Sequence, residues 1–447
     1  MEPFPCLKRQ KSEKNGSKGE IMSFITDLTR MWLTRSVKPF TFKNEYDEKL
    51  EYEECENLGL YIHIPFCRKI CAFCPYCKTV YREELCDAYI EHLLREIRMV
   101  GGQMKGKEGE IQKEGRKKVT SLYFGGGTPA LAAGRIKEII DVVSEYFEIT
   151  EGIGLELHPD NVTIPVLRTL KDAGVTKISI GIQSFQKKYQ DILGRSFVDV
   201  ETMAENLKAV PFDTVSMDFI FALPDQTVED LKADIQMAFS HGANHIAIYP
   251  FIDFTFTDSK VKVMDKKRKR KLLDDITEYC NSMGYERNSI WTFAAEKGAG
   301  YSSMTRDNFL GFGCSATTLL RNQFKINTFD VGEYIKRIEE GRLATSLTLR
   351  FSLRQRMIYY LFWTAYSTRV DSGAFEKFFG ISLKKMYGFE MKLAVLLGFA
   401  KEKDGVYEMT PKGVFYYHYY ENFYTLAYID KMWGIMRKEA FPKEIEL

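Results

Sequence analysis

Cys67, Cys71 and Cys74 follow one another at spacings of four and three residues, directly after the β-prone run Tyr61-Ile62-His63-Ile64-Pro65-Phe66. Thiolates gathered on one short loop can hold a metal centre, and sulfur is the ligand that iron–sulfur clusters use. Three cysteines on a 4Fe–4S cluster would leave one iron open to a small molecule. Other chemistries compete for the same residues. A structural zinc site usually pairs two CxxC elements far apart, and the chain has no second pair. Buried thiols can also serve packing alone. Cys74-Pro75-Tyr76-Cys77 is itself a CxxC, the spacing of a redox dithiol.

Further polar or conformationally special residues recur at the ends of apolar runs. Ser121-Leu122-Tyr123-Phe124 leads into Gly125-Gly126-Gly127-Thr128-Pro129. Three glycines let backbone approach a ligand with no Cβ in the way, although a tight turn would use them too. Glu156 lies inside the apolar run GLELHP, where a buried ion pair is the alternative. Gln183 ends SIGIQSF, Arg195 follows in LGRS, and Asp218 interrupts VSMDFIFALP.

These residues need a scaffold that brings them to one rim. Apolar runs starting near 60, 121, 154, 177, 214 and 245 predict six strands, and helical spacing between them predicts parallel βα units. Leu85, Tyr89, Leu93 and Ile97 mark one face of a helix, and residues 101–118 read as an exposed loop. A core filled only for packing would not need four polar groups near one rim. A bound cofactor with charged groups would use them. The basic run Lys266–Lys271 reads as a solvated helix start. Beyond Leu347 the βα rhythm stops. Residues 352–399 are helical in spacing with a break at FGISL, and Gly405–Gly413 reads as a hairpin entering a helix.

With 63 basic and 61 acidic residues among 447, no global field points to nucleic acid or an anionic membrane. Nine cysteines, four of them within 67–77, fit a reducing compartment better than a disulfide framework. Residues 1–20 read as a solvated basic tail, and 24–32 as a short amphipathic patch. No signal-peptide core or membrane-length apolar run is evident, so the expectation is a cytoplasmic, non-membrane protein.

CxxxCxxC directly after a strand resembles the radical S-adenosylmethionine superfamily, and YIHIPFC is similar to relatives of oxygen-independent coproporphyrinogen III oxidase. The resemblance implies an α/β fold, a partial (β/α)6 barrel with a small, mainly helical, winged-helix-like C-terminal domain. The corresponding division is 1–56 as tail and linker, 57–344 as the radical core, and 345–447 as the cap. It implies that Cys67, Cys71 and Cys74 hold a 4Fe–4S cluster, while Cys77 falls where the family has a further cysteine that is not a ligand. It implies contacts to S-adenosylmethionine from Tyr61, Phe73, Gly125, Gly126, Gly127, Thr128, Glu156, Gln183, Arg195 and Asp218. Glu156 stands in the family's E-x-x-P, Gln183 in its GxQ, Arg195 twelve residues on, and Asp218 in its D-x-I-x-x-LP. The implied chemistry is one-electron cleavage of S-adenosylmethionine to methionine and a 5′-deoxyadenosyl radical, which takes hydrogen from a tetrapyrrole-like substrate. An electron donor such as flavodoxin or ferredoxin would be required.

The chain also departs from those patterns. It has no PRYTSYP-like N-terminal motif, which in the oxidases contacts substrate. GYSS and LGFGCSA at 300–316 resemble the family's GYTT and LGFGVSA, but Gly298-Ala299 replace a Phe-Gln pair. Neither the HNxxYW motif nor the CDF-type cysteine ending of the haem-chaperone branch is present. Three functions thus use this scaffold: oxidative tetrapyrrole chemistry, methyl transfer or cyclopropanation with two S-adenosylmethionine molecules, and non-catalytic haem carriage.

Overall fold

A computed structural model describes residues 26–46, 49–104, 116–295 and 307–447. The six expected strands are present: β1 (Leu58–Ile64), β2 (Leu122–Gly126), β3 (Ile153–Leu157), β4 (Lys177–Gln183), β5 (Thr214–Phe221) and β6 (His245–Pro250). Every neighbouring pair from β1 to β6 runs parallel and in sequence order across the sheet. Ile62, Ile64, Phe124, Leu155, Ile178, Ile180 and Met217 are fully buried along them. Helices cover the parallel strands, so both faces of each strand become interior, which is why these runs are almost continuously apolar.

The connecting helices begin where local chemistry can satisfy their free N–H groups. Thr227 and Asp230 form a reciprocal capping box at the start of Val228–Ser240. Asp199 caps Val200–Ala209. Helix Glu83–Gly101 turns Tyr89, Leu93 and Ile97 into the core as the spacing predicts. Part of the expected loop after it, Lys117–Val119, pairs with Phe147–Ile149 instead.

A seventh parallel strand, β7 (Asn308–Phe312), lies on the other side of β1 and starts the LGFGCSA segment. It arrives after long non-local excursions, so no local βα period announces it. From β7 the sheet continues antiparallel through Thr317–Leu319, Gln323–Asn327 and Thr345–Arg350. Strand Thr41–Lys43 follows, and Glu444–Glu446 closes that edge. The start and the end of the segment expected as a cap therefore both lie in the main sheet. Between them, helices Leu353–Tyr366, Ser372–Phe379 and Leu383–Leu396 pack with a three-stranded sheet made of Arg369–Asp371, Ala400–Lys403 and Val406–Met409. Helix Pro411–Tyr424 follows the hairpin. This is a winged-helix-like arrangement with its own small core around Met357, Phe375, Phe379 and Leu383.

Residues 1–20 and the segment Gly298–Ser303, both singled out in the sequence, lie outside the described residues. Among the described residues no helix is long and apolar enough to cross a membrane.

Candidate active site at the strand ends

Parallel strands deliver their C-terminal ends to one rim, where open or closed α/β sheets place their ligands. Tyr61 and Tyr123 occupy matching positions on β1 and β2, and their rings stack with centroids 6.3 Å apart and planes 13° apart. Tyr123 donates its hydroxyl to Glu156 Oε1 at 3.1 Å. The Gly126 amide donates to Glu156 Oε2, also at 3.1 Å. Burial raises the Glu156 carboxyl above its usual range, opposed by those two donors.

The glycines have separate reasons to be glycines. Gly126 has φ +117°, and a Cβ there would come within 2.6 Å of the His63 ring. At Gly127 a Cβ would come within 2.6 Å of the Phe66 carbonyl oxygen. The Gly127 and Thr128 amides bond to the Ile64 and Phe66 carbonyls at 2.9 and 2.7 Å. The glycine loop is thereby packed directly onto the backbone that leads into Cys67. Thr128 Oγ1 also lies 3.8 Å from Cys67 Sγ. Gly125 is crowded as well, since a Cβ there would lie 3.0 Å from Glu156 Oε1 and from the ring and hydroxyl of Tyr61.

On β4 and β5 the rim is irregular. Asp218 pairs with Gly181 and Phe219 with Gln183, so Ile182 is skipped in a bulge, and Gln183 takes a left-handed φ of +70°. Bulges of this kind re-aim side chains beside functional sites. Gly181, Gln183 and Arg195 meet there: Arg195 donates to the Gly181 carbonyl, and Gln183 Nε2 would lie 3.0 Å from a Cβ on Gly181. Arg195 Nη1 also lies 3.8 Å from Cys71 Sγ. Asp218 accepts from Ser179 Oγ at 2.9 and 2.8 Å and from Ser216 Oγ at 3.2 Å. Burial, together with the nearby Glu156 charge, pushes its carboxyl up to about 7, against the two serine bonds.

Phe73 takes a different place. It packs against the buried group Tyr189, Leu193, Leu223 and Phe251, and so fastens the cysteine loop to the rim. His63 is held between the Tyr61 hydroxyl at 3.0 Å, the Cys77 carbonyl at 3.1 Å and Ser315 Oγ at 3.3 Å.

Sequence reading missed two groups here. Tyr76 and Tyr249 are 55 and 42% exposed, yet burial drives both phenols above their normal range, and Asp218 acts on both. Tyr76 belongs to the cysteine loop and Tyr249 to the C-terminal end of β6, so both stand at the strand-end rim. Beyond it, Trp291 donates from Nε1 to Glu421 Oε2 at 3.1 Å, and burial pushes Glu421 up to about 7. Lys269 breaks the expectation of a solvated basic run. Burial brings its ammonium down to about 8, and Nζ stands 5.9 Å from the centroid of the Phe221 ring. Only its position in the helix, facing the barrel, separates it from the exposed Arg268 and Arg270.

The donor set fits a cluster and a cationic ligand. Among the described residues no three His, Cys, Asp or Glu side chains converge as they would on one metal ion. A four-iron cluster takes one thiolate per iron, so its ligands need not meet at a point. Cys67 sits among Cys71 and Cys74, and burial, partly offset by Thr128, raises its thiol to about 11. Cluster binding would therefore release a proton from it. Glu156 and Asp218 are two half-buried carboxylates with no ion-pair partner among the described residues. A ligand bearing positive charge would supply what both lack.

Residues 61–238 match the protein-family model described as the Radical SAM superfamily. The heme chaperone HemW of Lactococcus lactis is 27% identical over 349 residues, covering 73% of this chain and 86% of that protein. HemW of Bacillus subtilis is 25% identical and covers 79% and 95%. The oxygen-independent coproporphyrinogen III oxidase of Cereibacter sphaeroides is 29% identical and covers 64% and 67%. In structure, coproporphyrinogen III oxidase from Escherichia coli, described as a radical SAM enzyme, matches with a TM-score of 0.68 over 82% of this chain and 89% of that one. Their identity is 22%, so this likeness speaks to the fold. The chain thus matches the radical SAM family model over residues 61–238 and is similar, over most of its length, to the oxygen-independent coproporphyrinogen III oxidases and the heme chaperones.

Proposed function

We propose that this protein is a radical S-adenosylmethionine enzyme acting on a large, tetrapyrrole-like substrate at the strand-end rim. The observation that carries it is the meeting of the cysteine loop with the polar rim, above all Arg195 beside Cys71. Cys67, Cys71 and Cys74 would hold the 4Fe–4S cluster. Glu156 and Asp218 would face the cationic parts of S-adenosylmethionine, with Gln183 and Arg195 orienting it and the glycine loop Gly125–Gly127 beside it. Bound together, the two cofactors would supply reductive cleavage of S-adenosylmethionine and hence the power to abstract hydrogen. The chain's own residues bind, orient and keep water out. Tyr76 and Tyr249 offer exposed aromatic surface suited to a flat conjugated molecule. An electron donor of the flavodoxin or ferredoxin kind completes the proposal.

A haem-carrying role is the second reading, favoured by the relatives named as heme chaperones. One paired measurement separates them. Anaerobically reconstituted, reduced protein should consume S-adenosylmethionine in a manner stimulated by coproporphyrinogen, with methionine, 5′-deoxyadenosine and carbon dioxide as products. Tight stoichiometric haem binding without such turnover would favour the carrier. Substrate-dependent S-adenosylhomocysteine would favour methyl transfer.

A further inference from the structure

Cys77 and Cys314 are separated by 237 positions in the chain, yet their Sγ atoms stand 3.7 Å apart. Cys77 follows the cluster-type cysteines, and Cys314 follows β7 in LGFGCSA. Both side chains are buried, Cys77 at 7% exposure and Cys314 at 0%. Each also touches the same short segment: Cys77 Sγ donates to the Phe329 carbonyl at 3.2 Å, and Cys314 Sγ to the Thr328 carbonyl at 3.2 Å.

Both backbones are held firmly. The Cys77 carbonyl is bonded to His63 Nε2 at 3.1 Å, and Thr79 N to the Pro65 carbonyl at 2.7 Å. Cys314 N donates to the Tyr89 hydroxyl at 2.8 Å, and that hydroxyl donates to the His63 carbonyl at 2.8 Å. The neighbouring Gly313 amide donates to Glu96 Oε2 at 2.7 Å. The whole frame converges on His63 and keeps the sulfurs facing. To become a disulfide they must close from 3.7 Å to about 2.05 Å.

We propose that Cys77 and Cys314 form an oxidisable dithiol, a modification site in which a peroxide closes a disulfide between the cysteine loop and the loop after β7. The two sulfurs are chemically unequal. Cys77 is the more acidic: its contact with Cys314, together with His63 and Ser315, lowers its thiol, while burial pushes the Cys314 thiol up. The reaction balances without a metal. The Cys77 sulfur attacks hydrogen peroxide, the O–O bond breaks, water leaves after protonation, and Cys77 becomes a sulfenic acid. The Cys314 sulfur then attacks the Cys77 sulfur. The S–S bond forms, the S–O bond breaks, and the thiol proton departs with hydroxide as a second water. Two electrons pass from the two thiols to one peroxide. Cys77 has the only exposed edge of the pair, so it is the entry point, and Cys314 the resolving thiol.

The test treats cluster-loaded full-length protein with hydrogen peroxide, quenches it with N-ethylmaleimide and maps tryptic peptides by mass spectrometry. The expected result is the peptide 70–78 joined to 307–321 through Cys77 and Cys314, a mass two hydrogens below the sum of the parts. N-ethylmaleimide labelling of Cys314 after denaturation should be lost in step, and dithiothreitol should restore it. Cys77→Ser and Cys314→Val should each abolish the joined peptide. Full labelling of Cys314 in oxidised wild-type protein, or its joining through Cys71 or Cys74, would overturn the assignment. The wild-type measurement decides the matter even if a variant folds poorly.

Discussion

Arg195 lies 3.8 Å from Cys71 Sγ while donating to the Gly181 carbonyl, so a single guanidinium joins the cysteine loop to the end of β4. Helix Lys187–Leu193 and the left-handed Gly194 carry Arg195 back toward the rim. The planar fork of Arg195 can hold two partners at once. Arg195→Lys keeps the charge and loses the fork. We expect it to retain its iron and to bind S-adenosylmethionine about 10-fold more weakly, the loss of one charged hydrogen bond. Calorimetry and iron analysis on the same sample check this, and unchanged affinity would remove Arg195 from the cofactor site.

Cluster content should follow the cysteine loop residue by residue. Cys67→Ala, Cys71→Ala and Cys74→Ala are each expected to lose the 4Fe–4S signal in electron paramagnetic resonance, with iron falling in parallel. Cys77→Ala is expected to keep both, since its Sγ faces Cys314 and the Phe329 carbonyl. A cluster that survives Cys71→Ala and fails in Cys77→Ala would reverse the ligand assignment.

Asp218 gives a pH dependence with a definite sign. Its folded carboxyl is raised to about 7 from an ordinary 3.8, so between those values the folded state binds more protons than the unfolded one. Stability of the ligand-free protein is therefore expected to fall as pH rises through that window. The loss is bounded at about 4 kcal/mol, and water on the open side of the site reduces it. Asp218→Asn should flatten the dependence in denaturant titrations at pH 5 and pH 8. The same variant should bind S-adenosylmethionine roughly 10- to 150-fold more weakly. A wild-type midpoint that rises from pH 5 to pH 8 while the variant's stays flat would contradict the sign.

Glu96 holds the loop after β7 from within the core. It accepts from the Gly313 amide at 2.7 Å, the Tyr334 hydroxyl at 2.8 Å and Asn327 Nδ2 at 3.2 Å. Glu96→Ala leaves the buried Gly313 amide and Tyr334 hydroxyl unmet, while Asn327 keeps its bond to the Gly313 carbonyl, and should cost about 3 kcal/mol. Glu96→Gln, which can still accept, should cost less. Chemical denaturation of both variants measures the difference, and equal losses would mean that bulk rather than hydrogen bonding is what Glu96 supplies.

By itself, the sequence determined the local frame. The six strands from Leu58 to Pro250, the helix face of Tyr89, Leu93 and Ile97, and the hairpin before Pro411 follow from periodicity and turn chemistry, which act over a few residues. The cysteine spacing and the polar interruptions Glu156 and Asp218 were legible for the same reason: each is an exception to an apolar run. Tertiary structure alone decided the rest. It set β7 beside β1, placed Cys314 against Cys77 across 237 residues, and turned Lys269 inward while its neighbours stayed in water. It also set Glu421 on a distant helix against Trp291. Such pairings depend on which surfaces a packed core brings together, and no short-range pattern of residue types encodes that.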